Sequence, residues 1–178
     1  LPDTARSLAD LAAAALEAAW VIGRAEVGPD ADSVRLSVIG MGKCGGRELN
    51  YVSDVDVLYV AEPVLDADGQ PVLEPGEAIA IGTRLAAALS RTCSAHTAAG
   101  TIWQVDPNLR PEGKAGPLVR SLASMTTYYE KWAKNWEFQA MLKARPAAGD
   151  LALGEAFVEL ISPLVWCAGE RPGFLSEV

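Results

Sequence analysis

The chain has 178 residues, half of them apolar, and a net charge of −8 at pH 7. This length predicts one domain, or one domain with part of another, and the apolar fraction excludes a disordered chain. The acidic balance argues against a nucleic-acid-binding protein, because such a protein normally presents a basic surface. Cys44, Cys93 and Cys167 are odd in number, widely spaced and without a CxxC or Cys/His metal pattern, which favours a reducing, cytoplasmic setting.

The first predicted element is an amphipathic helix over residues 3–26. Leu8, Leu16 and Trp20 recur at helical spacing. Charged residues interrupt this alanine-rich run, so it predicts neither a membrane span nor a signal peptide, and no membrane association is expected. The chain starts at Leu1 and stops where a new apolar pattern begins, so we expect it to be a piece of a longer protein.

A glycine-rich turn between two predicted strands is the most informative part of the sequence. The first strand covers residues 34–38 and enters the turn at 40–46, a short helix follows over 45–50, and the second strand covers 54–61. Backbone amides in such a turn can bind phosphate closely. The glycine spacing matches neither the dinucleotide fingerprint nor the P-loop. Lys43 is expected to contact phosphate, with a solvated surface lysine as the alternative.

Two aspartates begin the second strand. Residues two apart on a strand point to the same side, so Asp54 and Asp56 share a face, while Val55 and Val57 point into the core. Adjacent carboxylates repel one another, and a Mg²⁺ or Mn²⁺ ion relieves the repulsion and suits oxygen ligands. The alternative is a solvated pair that caps a turn. The preceding glycines and the following apolar strand favour the metal site.

The remainder of the chain is predicted to be mainly helical. The elements in order are a surface loop over 62–76, a helix over 77–92, a strand over 101–106, a loop to 117, a helix over 122–145 and a helix or helix pair over 151–167. Ser121 is expected to cap the long helix and Pro146 to end it at Arg145. This order of elements predicts an α+β fold with flanking helices.

A third carboxylate is expected from Asp106, at the end of the third strand. Three carboxylates can hold two metal ions in phosphoryl transfer. Alternatively, Asp106 caps the turn at Pro107. Arg110 and Lys114 in the following loop are expected to steady an anionic substrate, since arginine binds phosphate through two parallel hydrogen bonds. The alternative for these two residues is an ordinary hydrophilic turn.

The long predicted helix carries an aromatic stripe that is expected to be core. The stripe consists of Met125, Tyr128, Tyr129, Trp132, Trp136 and Ala140. Lys143 lies on roughly the same face and could reach the site from one end of the helix. Glu137 and Arg145 are interpreted as surface pairs. His96 is the only histidine and has no serine or cysteine beside it in a motif, so the sequence gives no support to a nucleophilic triad.

Three ordered blocks, at residues 42–56, 105–119 and 136–145, resemble the signature of the glutamine synthetase adenylyltransferase/adenylyl-removing enzyme family. The resemblance implies a DNA polymerase β-like nucleotidyltransferase fold in which Asp54, Asp56 and Asp106 bind Mg²⁺ or Mn²⁺. Family enzymes have two such domains. One attaches AMP from ATP to a tyrosine of glutamine synthetase, and the other removes it by phosphorolysis and releases ADP. PII signalling proteins and glutamine regulate many members.

The resemblance also indicates which half this is. The Glu48-Leu49-Asn50 ending, the run 116–121 and the Tyr128-Tyr129 pair are more similar to the N-terminal, adenylyl-removing half. Asn108 departs from the pattern, because many relatives carry arginine there. Three alternatives stay open: the adenylylating half, a non-catalytic nucleotide- or PII-binding module, and a nucleotidyltransferase that acts on a small molecule.

The resemblance and the residue patterns together predict the domain bounds and the site residues. Residues 1–149 form the catalytic domain, and residues 150–178 begin a truncated helical region. Glutamine synthetase is the expected protein substrate, and ATP or ADP and phosphate are the expected small molecules. The residues expected to bind nucleotide or phosphate are Lys43, Gly45, Gly46, Asn50, Ser53, Arg110, Lys114 and Lys143.

Overall fold

The computed structural model describes residues 2–170, which form a mixed sheet covered by helices. The helices are α1 (Pro2–Val27), α2 (Gly42–Gly45), α3 (Pro75–Ser94), α4 (Leu122–Lys131), α5 (Asn135–Met141) and α6 (Leu151–Ala168). The strands are β1 (Val34–Gly40), β2 (Val55–Pro63), β3 (Val105–Asp106), β4 (Val119–Arg120) and β5 (Arg145–Gly149). The predicted α+β class is confirmed. The last part of the predicted helical region, residues 171–178, lies outside the described residues.

Strand β2 lies near the centre of the sheet and carries Asp56, and Asp54 directly precedes it. It pairs antiparallel with β1, and β1 pairs antiparallel with β5. The other edge of β2 pairs with two short parallel strands, β3 beside Val55 and Asp56, and β4 beside Tyr59 and Val60. The start of β2 and the end of β3 therefore meet at one edge of the sheet.

Alternating side chains of the strands divide the apolar interior into two clusters, one on each face of the sheet. Val55, Val57 and Tyr59 belong to the cluster that includes α1 and α3. Leu58 and Val60 belong to the cluster that includes α4, α5 and α6. Since residues of one strand alternate between faces, Asp56 points to the same side as Leu58. The prediction that Val55 and Val57 anchor the strand in the core is confirmed.

Helix α6 is the last described element and packs onto the second face of the sheet. Leu153, Phe157 and Ile161 are buried in that cluster. Within residues 2–170 it is the one helix long and apolar enough to cross a membrane, a property that it shares with core helices of water-soluble domains. Asp150 caps its first turn by accepting a hydrogen bond from Leu153 N at 2.8 Å.

The predicted long helix over 122–145 is wrong. The chain forms α4, a short break after Lys131, α5, and then the edge strand β5. Ser121 caps α4 as predicted. Pro146 does not simply end a helix but lies within β5, where an edge strand tolerates a residue that has no amide hydrogen.

Two shorter predictions also need correction, and one short strand was missed. The short helix lies at Gly42–Gly45 instead of 45–50, because it starts as soon as β1 ends. The third strand is only Val105–Asp106, since residues 101–104 form no strand. Strand β4 was not predicted, and two residues are too few for an alternating pattern.

Candidate active site

Three carboxylates converge where β2 and β3 meet. Asp54, Asp56 and Asp106 each offer a carboxylate oxygen, and these oxygens all lie within 4.8 Å of one another. Asp56 and Asp106 are partners in the parallel pairing of β2 with β3, so they point to the same side of the sheet. The structure thus brings together the three aspartates that the sequence grouped. Asp54 is exposed, and the other two are partly buried.

Backbone hydrogen bonds fix both ends of this carboxylate cluster. Val55 N donates to Gln104 O at 2.8 Å, which joins the start of β2 to the segment before β3. Asp106 Oδ1 accepts from Asn108 N at 2.7 Å. Asp106 therefore does support the following turn, as the alternative interpretation expected, and one of its carboxylate oxygens also belongs to the three-aspartate cluster.

The three negative charges affect the protonation of Asp56. Burial raises the pKa of its carboxyl, and the charges of Asp54 and Asp106 raise it further, while the Lys43 ammonium lowers it. Carboxylates this close repel one another unless a cation or a proton lies between them. The cluster is thus a site that favours a bound cation.

The glycine-rich turn lies directly against Asp56. Met41 N donates to Asp56 O at 2.9 Å and so ties the start of α2 to β2. Gly42 has a φ of +49°, and a Cβ there would lie 3.1 Å from Asp56 Oδ2. Glycine is therefore required at this position both by the backbone conformation and by the neighbouring carboxylate.

Gly45 and Gly46 lie beneath the segment that links α5 to β5. A Cβ on Gly45 would overlap the carbonyl oxygens of Lys143 and Gly40, and one on Gly46 would lie 2.6 Å from Lys143 Cδ. Arg145 fixes the same contact from the other side, since Nε donates to Gly45 O at 3.1 Å and Nη2 to Cys44 O at 3.2 Å. Only glycine fits at these two positions, because the turn and the segment that carries Lys143 are in direct contact. Their predicted contact with phosphate stays a prediction.

Arg145 is therefore not the surface pair that the sequence suggested. It is half-buried and holds the carbonyl end of α2. Lys143 does form a surface ion pair, with Nζ 2.5 Å from Glu48 Oε2, while its alkyl chain covers Gly46.

Two open cavities meet at Lys43. The larger one, about 770 Å³, includes Asp54 and Ser53 and is bordered by the exposed side chains of Tyr51, Val52 and Ile102. The second, about 450 Å³, is lined by Gly42, Lys43, Trp136, Gln139, Ala140, Leu142 and Lys143. Lys43 is exposed and lines both cavities, which places its ammonium beside the carboxylate cluster.

Ser53 and Asn50 lie in different surroundings. Ser53 lines the larger cavity, and its hydroxyl donates to Asp54 O at 2.9 Å. Asn50 is exposed and lines another cavity, between the start of α1 and residues 48–52. The structure groups Ser53 with the carboxylates and places Asn50 on the side that faces α1.

The loop after β3 is held together by Arg110. Its guanidinium donates to the carbonyl oxygens of Pro107, Lys114 and Gly116 at 3.0–3.4 Å. These bonds show that Arg110 closes its own loop. Lys114 is exposed in a single 3-10 turn within that loop. The predicted contacts of both residues with an anionic substrate stay predictions.

Two features of the α4–α5 region were missed in the sequence. Glu137 is only 2% exposed and accepts hydrogen bonds from Tyr128 Oη at 2.8 Å and Lys134 N at 2.7 Å, so it is a buried brace and not a surface pair. The predicted aromatic stripe is core only at its start, since Trp132 is 63% and Trp136 41% exposed. The helix break rotates α5, so Phe138 and Met141 fill the core instead.

Comparisons with known proteins agree with the resemblance seen in the sequence. A family model described as glutamate-ammonia ligase adenylyltransferase matches residues 2–160. Three relatives are each named bifunctional glutamine synthetase adenylyltransferase/adenylyl-removing enzyme.

The protein from Cutibacterium acnes is 59% identical over 99% of this chain and 17% of its own length. The one from Streptomyces avermitilis is 57% identical over 100% of this chain and 17% of its own. The one from Mycolicibacterium smegmatis is 51% identical over 96% of this chain and 16% of its own. The chain thus spans about a sixth of the length of the curated relatives it matches.

Proposed function

Since the chain belongs to the glutamate-ammonia ligase adenylyltransferase family, we propose that it is the adenylyl-removing nucleotidyltransferase domain of a bifunctional enzyme acting on glutamine synthetase. In this proposal the domain cleaves AMP-tyrosine on glutamine synthetase with inorganic phosphate and releases ADP. Its fold is then that of a DNA polymerase β-like nucleotidyltransferase, which the order of strand, glycine turn and aspartate-bearing strand supports.

The convergence of Asp54, Asp56 and Asp106 is the observation that carries this proposal. Their oxygens lie within 4.8 Å of one another, and Asp54 lines the larger open cavity. Hard oxygen donors at this spacing fit Mg²⁺ or Mn²⁺. Burial raises the pKa of Asp56, and the charges of Asp54 and Asp106 raise it further, which supports a bound cation at this cluster. The three aspartates would hold the metal, which would supply charge neutralisation at the phosphate oxygens.

The chemistry proposed is a direct displacement at phosphorus. An oxygen of inorganic phosphate attacks the adenylyl phosphorus, the bond from phosphorus to the tyrosine oxygen breaks, and the phenolate takes up the proton that the attacking phosphate loses. The products are ADP and glutamine synthetase with an unmodified tyrosine side chain, and no covalent enzyme intermediate is needed. Lys43, beside the carboxylates, is placed to attract the anionic reactants and to orient them.

The larger cavity is suited to a segment of a protein substrate. It is open, and exposed apolar side chains at Tyr51, Val52 and Ile102 border it beside Asp54. Such side chains are typical of a surface that contacts another protein. We propose that the segment of glutamine synthetase carrying the modified tyrosine enters here.

The direction of the reaction rests on sequence resemblance at Asn50, at residues 116–121 and at Tyr128-Tyr129. The second candidate is the adenylylating half, because the relatives' names carry both activities. Control by a PII signalling protein in the full-length enzyme and a cytoplasmic location belong to the same proposal.

One pair of assays on the chain distinguishes removal of AMP from attachment of AMP. Adenylylated glutamine synthetase with phosphate and Mg²⁺ is expected to yield ADP, whereas unmodified glutamine synthetase with ATP is expected to take up no AMP. Uptake of AMP without phosphate-dependent ADP release would assign the chain to the adenylylating half. Nucleotide binding without either reaction would assign it to a binding module.

A further inference from the structure

The smaller cavity at Lys43 has no role in the chemistry described so far. It lies between the glycine-rich turn and α5, and its volume of about 450 Å³ falls within the range of small-molecule sites. Its wall combines one aromatic ring, Trp136, with one neutral amide, Gln139, and two lysines. A flat ring and a hydrogen-bonding amide are the groups that proteins use to bind a nucleobase.

Trp136 is partly exposed and lines the smaller cavity. Its neighbours Phe138 and Met141 fill the core of that face, while 41% of Trp136 remains accessible beside the cavity. Leaving a large apolar ring in water forfeits the free energy that its burial would provide. Because Trp136 lines the cavity, unlike the more exposed Trp132, a ligand bound in the cavity can cover the ring and recover this free energy.

The cavity is also next to the reacting centre. Gly42 lines it and lies against the carboxylate of Asp56. Lys43 lines it together with the larger cavity that contains Asp54. A nucleotide whose phosphate lies at the carboxylates can therefore extend its sugar and base past Gly42 toward Trp136.

We infer that the adenine base of the adenylyl group stacks on Trp136 and that the Gln139 amide reads its edge. The inference rests on the proposed function, which supplies the adenylyl group. Adenine offers a donor and an acceptor side by side at N6 and N7, which the side-chain amide of glutamine matches. Guanine offers two acceptors there, so this contact selects adenine. The larger cavity is then left for the protein segment.

The test measures binding of ADP and of pyrophosphate to the chain by calorimetry in the presence of Mg²⁺. Pyrophosphate contains the phosphates without the base. Trp136→Ala is expected to weaken ADP binding about tenfold to a hundredfold and to leave pyrophosphate binding unchanged. Trp136→Phe keeps a ring and is expected to stay within a few-fold of the wild type. Trp132→Ala is the matched control, because Trp132 is exposed in the same region and does not line the cavity.

A second arm tests the amide. The wild type is expected to prefer ADP to GDP, and Gln139→Leu is expected to lose most of that preference. Equal binding of ADP by wild type and Trp136→Ala, or an equal loss of ADP and pyrophosphate binding, would overturn the inference and leave the proposed function intact. Absence of binding of both ligands to the wild-type chain would instead contradict the proposed function. Thermal melting of each variant checks that it is folded.

Discussion

Asp56 and Asp106 are register partners in the parallel pairing of β2 with β3. That pairing, together with the two-residue spacing of Asp54 and Asp56, places three carboxylates on one side of the sheet edge. Among the described residues, no cationic side chain forms a salt bridge with these three aspartates, and Lys43 is the cation that lowers the pKa of Asp56. The repulsion among the three carboxylates is expected to lower the stability of the fold when no metal is bound.

Asp56→Asn removes one of the mutually repelling charges. In the presence of a chelator, the variant is expected to unfold at a temperature about 2–4 °C above the wild type, as relief of about 1 kcal/mol would produce. Saturating Mg²⁺ is expected to stabilise the wild type and to have little effect on the variant, because a ligand stabilises only the state that binds it. Asp68→Asn, in an exposed loop, is the control. Equal stabilisation of Asp56→Asn and wild type by Mg²⁺ would exclude Asp56 as a ligand.

The buried hydroxyls of Tyr128 and Tyr129 predict opposite effects of the same change. Tyr128 Oη donates to Glu137 at 2.8 Å, so Tyr128→Phe leaves a buried carboxylate short of a donor and is expected to cost about 1–3 kcal/mol. Tyr129 Oη is buried without a hydrogen-bond partner among the described residues, so Tyr129→Phe is expected to be neutral or stabilising. Chemical denaturation of the two variants measures both. A larger loss for Tyr129→Phe than for Tyr128→Phe would show that the hydrogen bonds are assigned to the wrong hydroxyl.

Asp150 predicts a dependence of stability on pH. Its carboxylate accepts from Arg35 Nε at 2.6 Å and from Leu153 N at 2.8 Å, and the hydrogen bond from Arg35 is the main cause that lowers the pKa of Asp150. A lowered pKa in the folded state means that this stabilisation is present above the usual pKa of about 4 and is lost as pH falls through the folded value.

Asp150→Ala is therefore expected to cost about 1–2 kcal/mol at neutral pH, through loss of the cap and of the ion pair. Asp150→Asn keeps a capping oxygen and is expected to cost less. The difference between wild type and Asp150→Ala should shrink in urea denaturation series taken at decreasing pH below about 4. A difference that is the same at every pH would mean that ionised Asp150 does not stabilise the fold.

Gly45 and Gly76 form a matched pair of helical glycines. A Cβ on Gly45 would overlap backbone oxygens of Lys143 and Gly40, so Gly45→Ala is expected to cost about 1–3 kcal/mol and to displace the segment that carries Lys143. A Cβ on Gly76 meets nothing within 4 Å in the first turn of α3, so Gly76→Ala is expected to be neutral or slightly stabilising. Thermal melting of the two variants is the measurement. Similar melting temperatures for both would contradict the close contact at Gly45.

The elements that were predicted correctly are those with a long apolar pattern within their own sequence. The helix α1 and the strand β2 have long periodic patterns, and both ends of each lie within two residues of the predicted bounds. Asp106 was expected as the third carboxylate from its position at the end of a predicted strand, but a turn cap stayed open as the alternative, because parallel pairing of two-residue strands has no local signal.

The region from Trp132 to Arg145 was mispredicted for a tertiary reason. Helical spacing of the aromatics continues through residues 132–134, but Glu137 accepts from Lys134 N and starts a new helix there. Trp136 consequently faces a cavity and not the core. The apolar period alone could not reveal this, since it carries no information about a buried carboxylate that caps a turn.

The proposed function requires that Asp54, Asp56 and Asp106 support phosphate-dependent removal of AMP from glutamine synthetase. The most direct measurement is the rate of ADP formation by the chain from adenylylated glutamine synthetase, phosphate and Mg²⁺, for the wild type and for the Asp54→Asn, Asp56→Asn double variant. We expect ADP formation that requires both phosphate and Mg²⁺ in the wild type, and a loss of at least about a hundredfold in the double variant. An unchanged rate in a folded double variant would contradict the claim.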